Sequence, residues 1–234
     1  MHLDLRKIRR IAKMRTIELF CVAFLCLSPM AWVSSSREPC RSPAKTKGLL
    51  SVTSAKDDTT VWGDFKYDAA KKYLRFVEDS KSNRTSHLDV LVHFEQDVIY
   101  EFDSKNDSCK KQSLPSHSHP LEVPADATHQ DELYLGSLDK SEQGLRVRIW
   151  SGNISDHLDT HHSQAAHYSI ITTSCGCVPV SCIYHSEKYD LIFKFFNVEI
   201  DFDEIQAFKL PDYCDGVALE EASDDHSFFD LFHD

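Results

Sequence analysis

Hydrophobic and polar residues alternate in short segments along most of the chain, which is the pattern of strands with one buried and one solvated face. Polar turn residues separate these segments, and this spacing favours antiparallel neighbours joined by hairpins. The pattern predicts strands at residues 65–67, 73–77, 87–94, 98–102, 133–138, 145–150, 168–172, 178–184 and 189–198. Short strands with frequent turns indicate an all-β, mostly antiparallel sandwich or barrel.

The segments between these strands lack the alternation. Residues 114–128 contain three prolines, so we expect this segment to be a loop. Residues 152–166 form a second long, polar segment, which we expect to be a loop or a short helix. A helical turn is expected around residues 203–208. From residue 219 the chain mixes acidic residues with phenylalanines, and we expect this tail to be partly disordered.

The first 36 residues have the order of a secretory signal peptide: basic residues, then an apolar stretch at 19–27, then serines at 34–36. The apolar stretch is shorter than the roughly 18 residues that span a bilayer. We therefore divide the chain into a signal peptide at residues 1–36, a β domain at residues 37–216 and an acidic tail at residues 217–234. Met14 is an alternative start to Met1.

Removal of the signal peptide changes the charge of the protein. The whole chain carries −11 and residues 1–36 carry +4, so the mature chain carries about −15. Binding to nucleic acid requires clustered Lys and Arg, and this acidic chain is therefore not expected to bind it. Twelve histidines remain in the mature chain, and an unperturbed imidazole titrates near pH 6.5. We therefore expect binding to an anionic membrane to appear only at acid pH.

Six cysteines follow the signal peptide, an even number that indicates disulfide bonds in a secreted chain. They are Cys40, Cys109, Cys175, Cys177, Cys182 and Cys214. Six cysteines allow fifteen pairings, and the residues alone do not choose among them. A metal site at the clustered Cys175, Cys177 and Cys182 is the alternative, although zinc ligands usually come in pairs at wider spacing.

Three sequons of the form Asn-x-Ser/Thr begin at Asn83, Asn106 and Asn153. None has proline at its middle position. In a secreted chain such triplets are acceptors for N-linked glycans, and each acceptor is then expected on an exposed loop.

Sequence motifs for catalysis are absent: the chain has no Gly-x-Ser-x-Gly, no phosphate-binding loop and no His-Glu-x-x-His, so we do not expect an enzyme. Histidines concentrated at residues 157–167 are compatible with a zinc or copper site, but a solvated polar loop explains them as well. Asp201, Asp203 and Glu204 offer the oxygen ligands that calcium prefers, without the spacing of an EF-hand.

Apolar residues on one face of the first four predicted strands are the candidates for a ligand pocket. They are Phe65, Tyr67, Leu74, Phe76, Leu88, Val90, Val92, Phe94, Tyr100 and Phe102. From the pattern alone, an ordinary sandwich core and a lined cavity remain alternatives.

Several blocks, in order, resemble the ependymin family. They include the Cys40 region, the sequon at Asn83 followed by a strand, and the sequon at Asn106 beside a cysteine. The block at residues 119–128, HPLEVPADAT, is the most specific, and residues 144–150, 177–185 and 195–198 continue the match. The resemblance covers about residues 38–214.

The resemblance implies a secreted glycoprotein of the extracellular fluid or the lysosome. It implies a fold like that of bacterial lipoprotein carriers, with two curved sheets forming a sandwich or half-barrel around an apolar pocket, and assembly as a homodimer. Carried to matching positions, the family's disulfides would join Cys40 to Cys177 and Cys109 to Cys214, leaving the pairing of Cys175 and Cys182 open.

Two functions follow from the residues and the resemblance together. The first is a secreted carrier of a lipid or other apolar ligand, with calcium binding as an additional property. The alternative is a calcium-dependent adhesion glycoprotein that contacts the extracellular matrix through its surface and glycans.

Overall fold

The structure, a computed structural model, describes residues 38–79, 87–116, 118–155, 165–222 and 227–232. Within these ranges the chain forms twelve β-strands and five short 3₁₀ helices. The strands are β1 (Lys45–Ser54), β2 (Thr59–Asp68), β3 (Tyr73–Glu78), β4 (Asp89–His93), β5 (Val98–Asp103), β6 (Ser108–Ser113), β7 (Thr128–Gly136), β8 (Gly144–Ser155), β9 (Ala165–Thr173), β10 (Pro179–His185), β11 (Asp190–Ile200) and β12 (Leu219–Glu220). The 3₁₀ helices are Phe94–Gln96, Ser141–Gln143, Ile205–Phe208, Asp212–Cys214 and Phe228–Phe232.

All twelve strands join one hydrogen-bonded sheet in the order β12-β6-β5-β4-β3-β2-β1-β11-β10-β9-β8-β7. Neighbouring strands are antiparallel except for β12, which pairs parallel with β6. Strands β1–β6 form one meander and β7–β11 another, and β1 pairs with β11 where the two meet. The all-β, mostly antiparallel prediction is confirmed, and the two halves are continuous through β1 and β11 rather than separate sheets.

One face of this sheet, here called the inner face, carries the main hydrophobic core. Alternate residues of the strands point to it, because side chains in a strand alternate between faces. Both meanders contribute: Phe65 and Phe76 from the first half lie in the same cluster as Trp150 and Phe193 from the second. The Phe65 and Phe195 rings meet edge to face at 5.4 Å, across the line where the halves join.

The opposite, outer face of β4 and β5 carries a second, smaller core. Leu91, Val98, Tyr100 and Phe102 are buried there with Cys214. The chain following β11 covers them through its 3₁₀ helices Ile205–Phe208 and Asp212–Cys214. Strand β5 is therefore buried on both faces over its first residues, Val98, Ile99 and Tyr100.

All nine predicted strands are present, but three further strands and the course of the tail were missed. Strand β1 begins with polar residues, β6 is largely polar, and β12 has two residues, so alternation did not reveal them. The expectation of a partly disordered tail is wrong for Phe228–Phe232, whose four apolar side chains are buried. The predicted signal peptide lies outside the described residues.

Candidate ligand-binding site

A cleft of about 1030 Å³ opens beside the inner face. Its walls come from the 38–42 segment, the turn between β2 and β3, and the 118–126 loop, with Asn153 of β8 and Tyr168 of β9 completing it. Strands from both halves of the sheet thus contribute to one concavity, the usual form of a small-molecule site.

The loop at residues 118–126 is held against the sheet by its own apolar side chains. Leu121 and Val123 are buried in the inner core, and the Ser42 hydroxyl donates a hydrogen bond to the Leu121 carbonyl oxygen at 3.2 Å. A disulfide joins Cys40 to Cys177 and fixes the 38–42 segment to the other half of the sheet. The walls of the cleft are therefore anchored at several points.

Two pairs of polar side chains lie at the cleft. Lys72 forms an ion pair with Glu122 across the opening. Behind them the Tyr67 hydroxyl lies 3.5 Å from the Nε2 atom of His119. Burial, and secondarily the Glu122 carboxylate, raise the pKa of Tyr67 well above its usual value, so this phenol stays protonated.

Tyr168 provides a buried hydroxyl that has no hydrogen-bond partner among the described residues. Burial raises its pKa to about 12, and the group remains a neutral donor. The ring lies against Gly152 of β8, where a Cβ atom would collide with the Tyr168 hydroxyl. A buried polar atom without a partner is unusual in a folded protein and marks a place where a ligand group would be favourable.

The ten predicted pocket residues occupy two different cores. Seven of them are buried in the inner core, and Leu88 packs against it. Those seven are Phe65, Tyr67, Leu74, Phe76, Val90, Val92 and Phe94. Tyr100 and Phe102 lie instead on the outer face, because Val92 pairs with Ile99 and this register turns Ile99 inward. Their placement in an inner pocket was wrong, since alternation alone does not say which face of β5 points inward.

The inner core is closed by residues 227–232, here called the inner plug. The 3₁₀ helix Phe228–Phe232 is not a strand of the sheet, yet all four of its apolar side chains are buried. Phe229 stacks on Tyr184 at 3.8 Å, and Phe232 meets Phe76 edge to face at 5.6 Å. The plug therefore contacts β3 and β10, on opposite sides of the β1–β11 pair.

The Asp230 carboxylate helps to hold the inner plug in place. Asp230 forms an ion pair with Lys188 at 2.7 Å and accepts a hydrogen bond from the Tyr189 hydroxyl. It also accepts hydrogen bonds from the Ser227 amide at 2.7 Å and the Ser227 hydroxyl at 3.1 Å. Burial alone would raise the pKa of Asp230, but these bonds outweigh it and lower the pKa.

The predicted calcium ligands follow the end of β11, where Asp201 and Asp203 are exposed and Glu204 is half-buried. Lys47 approaches Glu204 to 3.1 Å, and Lys66 pairs with the other oxygen of the same carboxylate. These lysines hold the pKa of Glu204 below its usual value. Among the described residues no group of three or more His, Cys, Asp or Glu side chains is placed to hold a metal. Calcium binding stays a prediction, and Glu204 here is committed to two ammonium groups instead of offering free oxygens.

The structure contains both disulfides that the resemblance implied, Cys40–Cys177 and Cys109–Cys214. Cys175 is an exposed free cysteine and Cys182 a buried one. Burial raises the pKa of the Cys182 thiol to about 12, which makes it unreactive.

The predicted glycosylation sites differ in their surroundings. Asn106 is exposed in the turn between β5 and β6, as expected for an acceptor. Asn153 is also exposed, but it lies in strand β8 at the cleft and not on a loop. Asn83 and the histidines at 157–162 lie outside the described residues.

Sequence reasoning missed the residues that anchor the inner plug. Lys188 and Tyr189 belong to the turn between β10 and β11, where a charged and an aromatic residue attract no notice. The signal that was present is the run Phe-Phe-Asp-Leu-Phe at 228–232, because four large apolar residues in five positions are unusual in a solvated tail.

Comparison with known proteins gives one consistent family. A family model described as Ependymin matches residues 82–214. Ependymin of Notemigonus crysoleucas is 52% identical over 221 residues, covering 94% of this chain and 100% of the relative. Ependymin-2 of Carassius auratus is 53% identical over 222 residues, with the same two coverages.

A solved structure, LprF from Mycobacterium bovis, aligns with a TM-score of 0.34 at 11% identity, covering 69% of this chain and 88% of that one. A likeness of this degree carries no argument about ligands. Among the described residues, no helix has the length and apolar character needed to cross a membrane.

Proposed function

This chain belongs to the ependymin family, and from that premise we propose that it is an extracellular glycoprotein that carries an apolar ligand at the inner face of its sheet. The family is not an enzyme family, and the proposed action is binding rather than catalysis. The observation that carries the proposal is the cleft of about 1030 Å³, which reaches the aromatic inner core at Val123 and Tyr168.

The lining of this cleft is mixed, because apolar groups such as Val123 and the Tyr168 ring lie beside charged side chains such as Lys72 and Glu122. The apolar part of the lining is what supports an apolar ligand. Ligand sites usually combine hydrophobic walls with a few placed polar groups. Here Val123 and Tyr168 of the inner core supply apolar surface, and the Tyr168 hydroxyl, which has no hydrogen-bond partner among the described residues, supplies a donor. The aromatic ring of Phe94 separates the cleft from the inner plug, since it lies 4.4 Å from the His119 ring and 6.2 Å from Phe228.

Lipid extraction of the purified secreted protein, followed by mass spectrometry, tests the proposal. We expect an apolar molecule in near-stoichiometric amount, released when the protein is denatured. Ala70→Trp, at an exposed position that lines the cleft, should reduce that amount several-fold by filling the cleft. Ala55→Trp, on the exposed turn between β1 and β2, is the matched control and should leave it unchanged. Protein that retains no apolar molecule and binds none when supplied would reject the carrier function.

We also propose that the protein forms a homodimer through β7. This strand ends the sheet, and its Leu133, Tyr134 and Leu135 side chains are exposed. An uncovered apolar edge strand usually pairs with another strand, and two copies of one edge are complementary about a twofold axis. Because Leu135→Lys places a charge on this edge, analytical ultracentrifugation of the variant should show a monomer. The Ile200→Lys variant is the control. Ile200 is also apolar and exposed, but it lies on β11, which β10, β9 and β8 separate from β7, so this variant should remain dimeric.

A further inference from the structure

Asn153 is both a predicted acceptor for an N-linked glycan and a residue of the cleft. It begins the sequon Asn153-Ile154-Ser155, and it is exposed. It also lines the cleft of about 1030 Å³ that we propose as the ligand site. A residue that lines a cleft and is exposed as well lies at the rim, where the cleft meets solvent. A glycan attached to Asn153 therefore starts at the rim of the ligand site.

Strand pairing fixes this attachment point close to the proposed hydrogen-bond donor of the cleft. Asn153 pairs with His167 of β9, and the preceding Gly152 pairs with Tyr168. A Cβ atom on Gly152 would lie 2.3 Å from the Tyr168 hydroxyl oxygen, so the backbone of β8 reaches that hydroxyl directly. Consecutive Cα atoms are about 3.8 Å apart, and the glycan therefore begins one residue from the backbone that contacts Tyr168.

The edge of the sheet is open at this acceptor. The described pairing of β7 with β8 reaches only to Ser151, which pairs with Thr128, and Asn153 lies two residues further along β8. The loop that precedes β7 lines the same cleft through Ala125 and Asp126, and both residues are exposed. A bulky, hydrated group can therefore extend from Asn153 without entering the hydrophobic core.

A glycan at the rim excludes volume but gains little from contact with an apolar ligand. The proposed ligand is held by apolar groups such as Val123, which is buried in the inner core. Sugar hydroxyls that lose water to an apolar surface pay a desolvation cost, so they do not favour the bound ligand. A group that interacts equally with two states cannot change their ratio. Such a glycan alters the rates of ligand entry and exit and leaves Kd unchanged.

We propose that the N-glycan on Asn153 is a gate for the cleft, which restricts passage of the apolar ligand in both directions. The inference rests on the proposed carrier function and adds to it the control of ligand exchange by glycosylation. Asn106 is an exposed acceptor without this role, because it lies in the turn between β5 and β6, on the opposite side of the strand order from β8.

Stopped-flow fluorescence with cis-parinaric acid measures ligand entry and exit in the secreted, glycosylated protein. Peptide mapping by mass spectrometry first determines whether Asn153 carries a glycan. Asn153→Gln removes the acceptor, and Ser155→Ala removes the sequon while keeping the asparagine. Both variants should raise the association and dissociation rate constants several-fold and by the same factor. Asn106→Gln removes a distant glycan of the same type, and this matched control should leave both rate constants unchanged.

Enzymatic trimming tests the gate without a substitution in the strand. Protein produced with high-mannose glycans and treated with endoglycosidase H keeps one sugar on each acceptor. It should exchange the probe nearly as fast as Asn153→Gln, because most of the bulk at the rim has been removed. The same treatment of Asn153→Gln should add no further increase, since the remaining glycans do not lie at the cleft.

The outcomes separate the gate from the carrier function. An Asn153 without a glycan, or rate constants that its removal leaves unchanged, would overturn the gate and leave the carrier function standing. A change in Kd on removal would also overturn the gate, because the glycan would then contact the bound ligand or compete with it. Absence of probe binding in every form would overturn the carrier function and the gate with it.

Discussion

The two faces of the sheet are each closed by a segment from the last part of the chain, but the two closures are held differently. On the outer face, residues 205–214 cover β4 and β5 and are tied to β6 by the Cys109–Cys214 disulfide. On the inner face, residues 227–232 are held by aromatic packing and by the Asp230–Lys188 ion pair. A covalent closure is permanent in an oxidising compartment, whereas a non-covalent one can dissociate and re-form. We therefore expect the outer closure to contribute more to the stability of the fold than the inner closure does.

The largest expected effect is the loss of the outer closure. Changing both Cys109 and Cys214 to Ser should cost about 4 to 5 kcal/mol, since the bond closes a loop of more than 100 residues. Denaturant unfolding gives the free energy, and hydrogen exchange should show faster exchange at residues 205–214. Cys175→Ser, at an exposed free cysteine, should change stability by less than about 0.5 kcal/mol. A loss as small as that of the control would remove the distinction between the closures.

The next effect compares two buried phenylalanines of the inner core. Phe76→Ala should cost about 3 to 5 kcal/mol, because β3 cannot leave the sheet and a cavity remains. Phe228→Ala removes an equally buried ring, but undocking of the plug limits the loss, and we expect about 1 to 3 kcal/mol. Global unfolding by denaturant measures both. Equal losses, with no faster exchange at residues 227–232, would mean that the plug belongs to the permanent core.

A smaller effect isolates the anchor of the plug. Asp230→Asn keeps the shape and removes the charge, so we expect a loss of about 1 to 2 kcal/mol in the docking of residues 227–232. Hydrogen exchange of these amides measures docking separately from global unfolding. Asp215→Asn removes an exposed carboxylate elsewhere and should have no effect on them. Slow exchange that is unchanged in Asp230→Asn would show that packing alone holds the plug.

The smallest effect is a pH dependence of the same docking. The folded pKa of Asp230 is lowered, so its contribution is complete above the unfolded value of about 3.9 and is lost as the pH falls through the folded pKa. Hydrogen bonds to Asp230 raise the pKa of Lys188 against the opposing effect of burial, and burial raises that of Tyr189, so both stay protonated in acid. Asp230 should therefore not release the plug between pH 7 and pH 5. Exchange rates corrected for intrinsic pH effects should rise only below about pH 4, and Asp230→Asn should abolish that rise.

The sequence predicted those features that can be recognised from the order and number of its residues. Alternation located nine strands because a half-buried strand must place apolar residues at every second position. The even number of cysteines predicted disulfide bonds, but their partners came from the family resemblance, since Cys109 and Cys214 are 105 residues apart. The ten pocket candidates were correctly identified as apolar strand residues, and the structure divides them between two cores.

The sequence by itself determined the β class and the polar turns of this protein, because both depend on residues close together in the chain. Only the tertiary structure decided that β5 is buried on both faces, because the covering segment lies about 100 residues further along. It likewise decided that Phe228–Phe232 is buried and that Asp230 meets Lys188 and Tyr189. The run Phe-Phe-Asp-Leu-Phe in an acidic tail has no periodicity that indicates which surface buries it. Its position is set by the aromatic surface to which β3, β10 and β11 contribute, and that surface exists only after the sheet has formed.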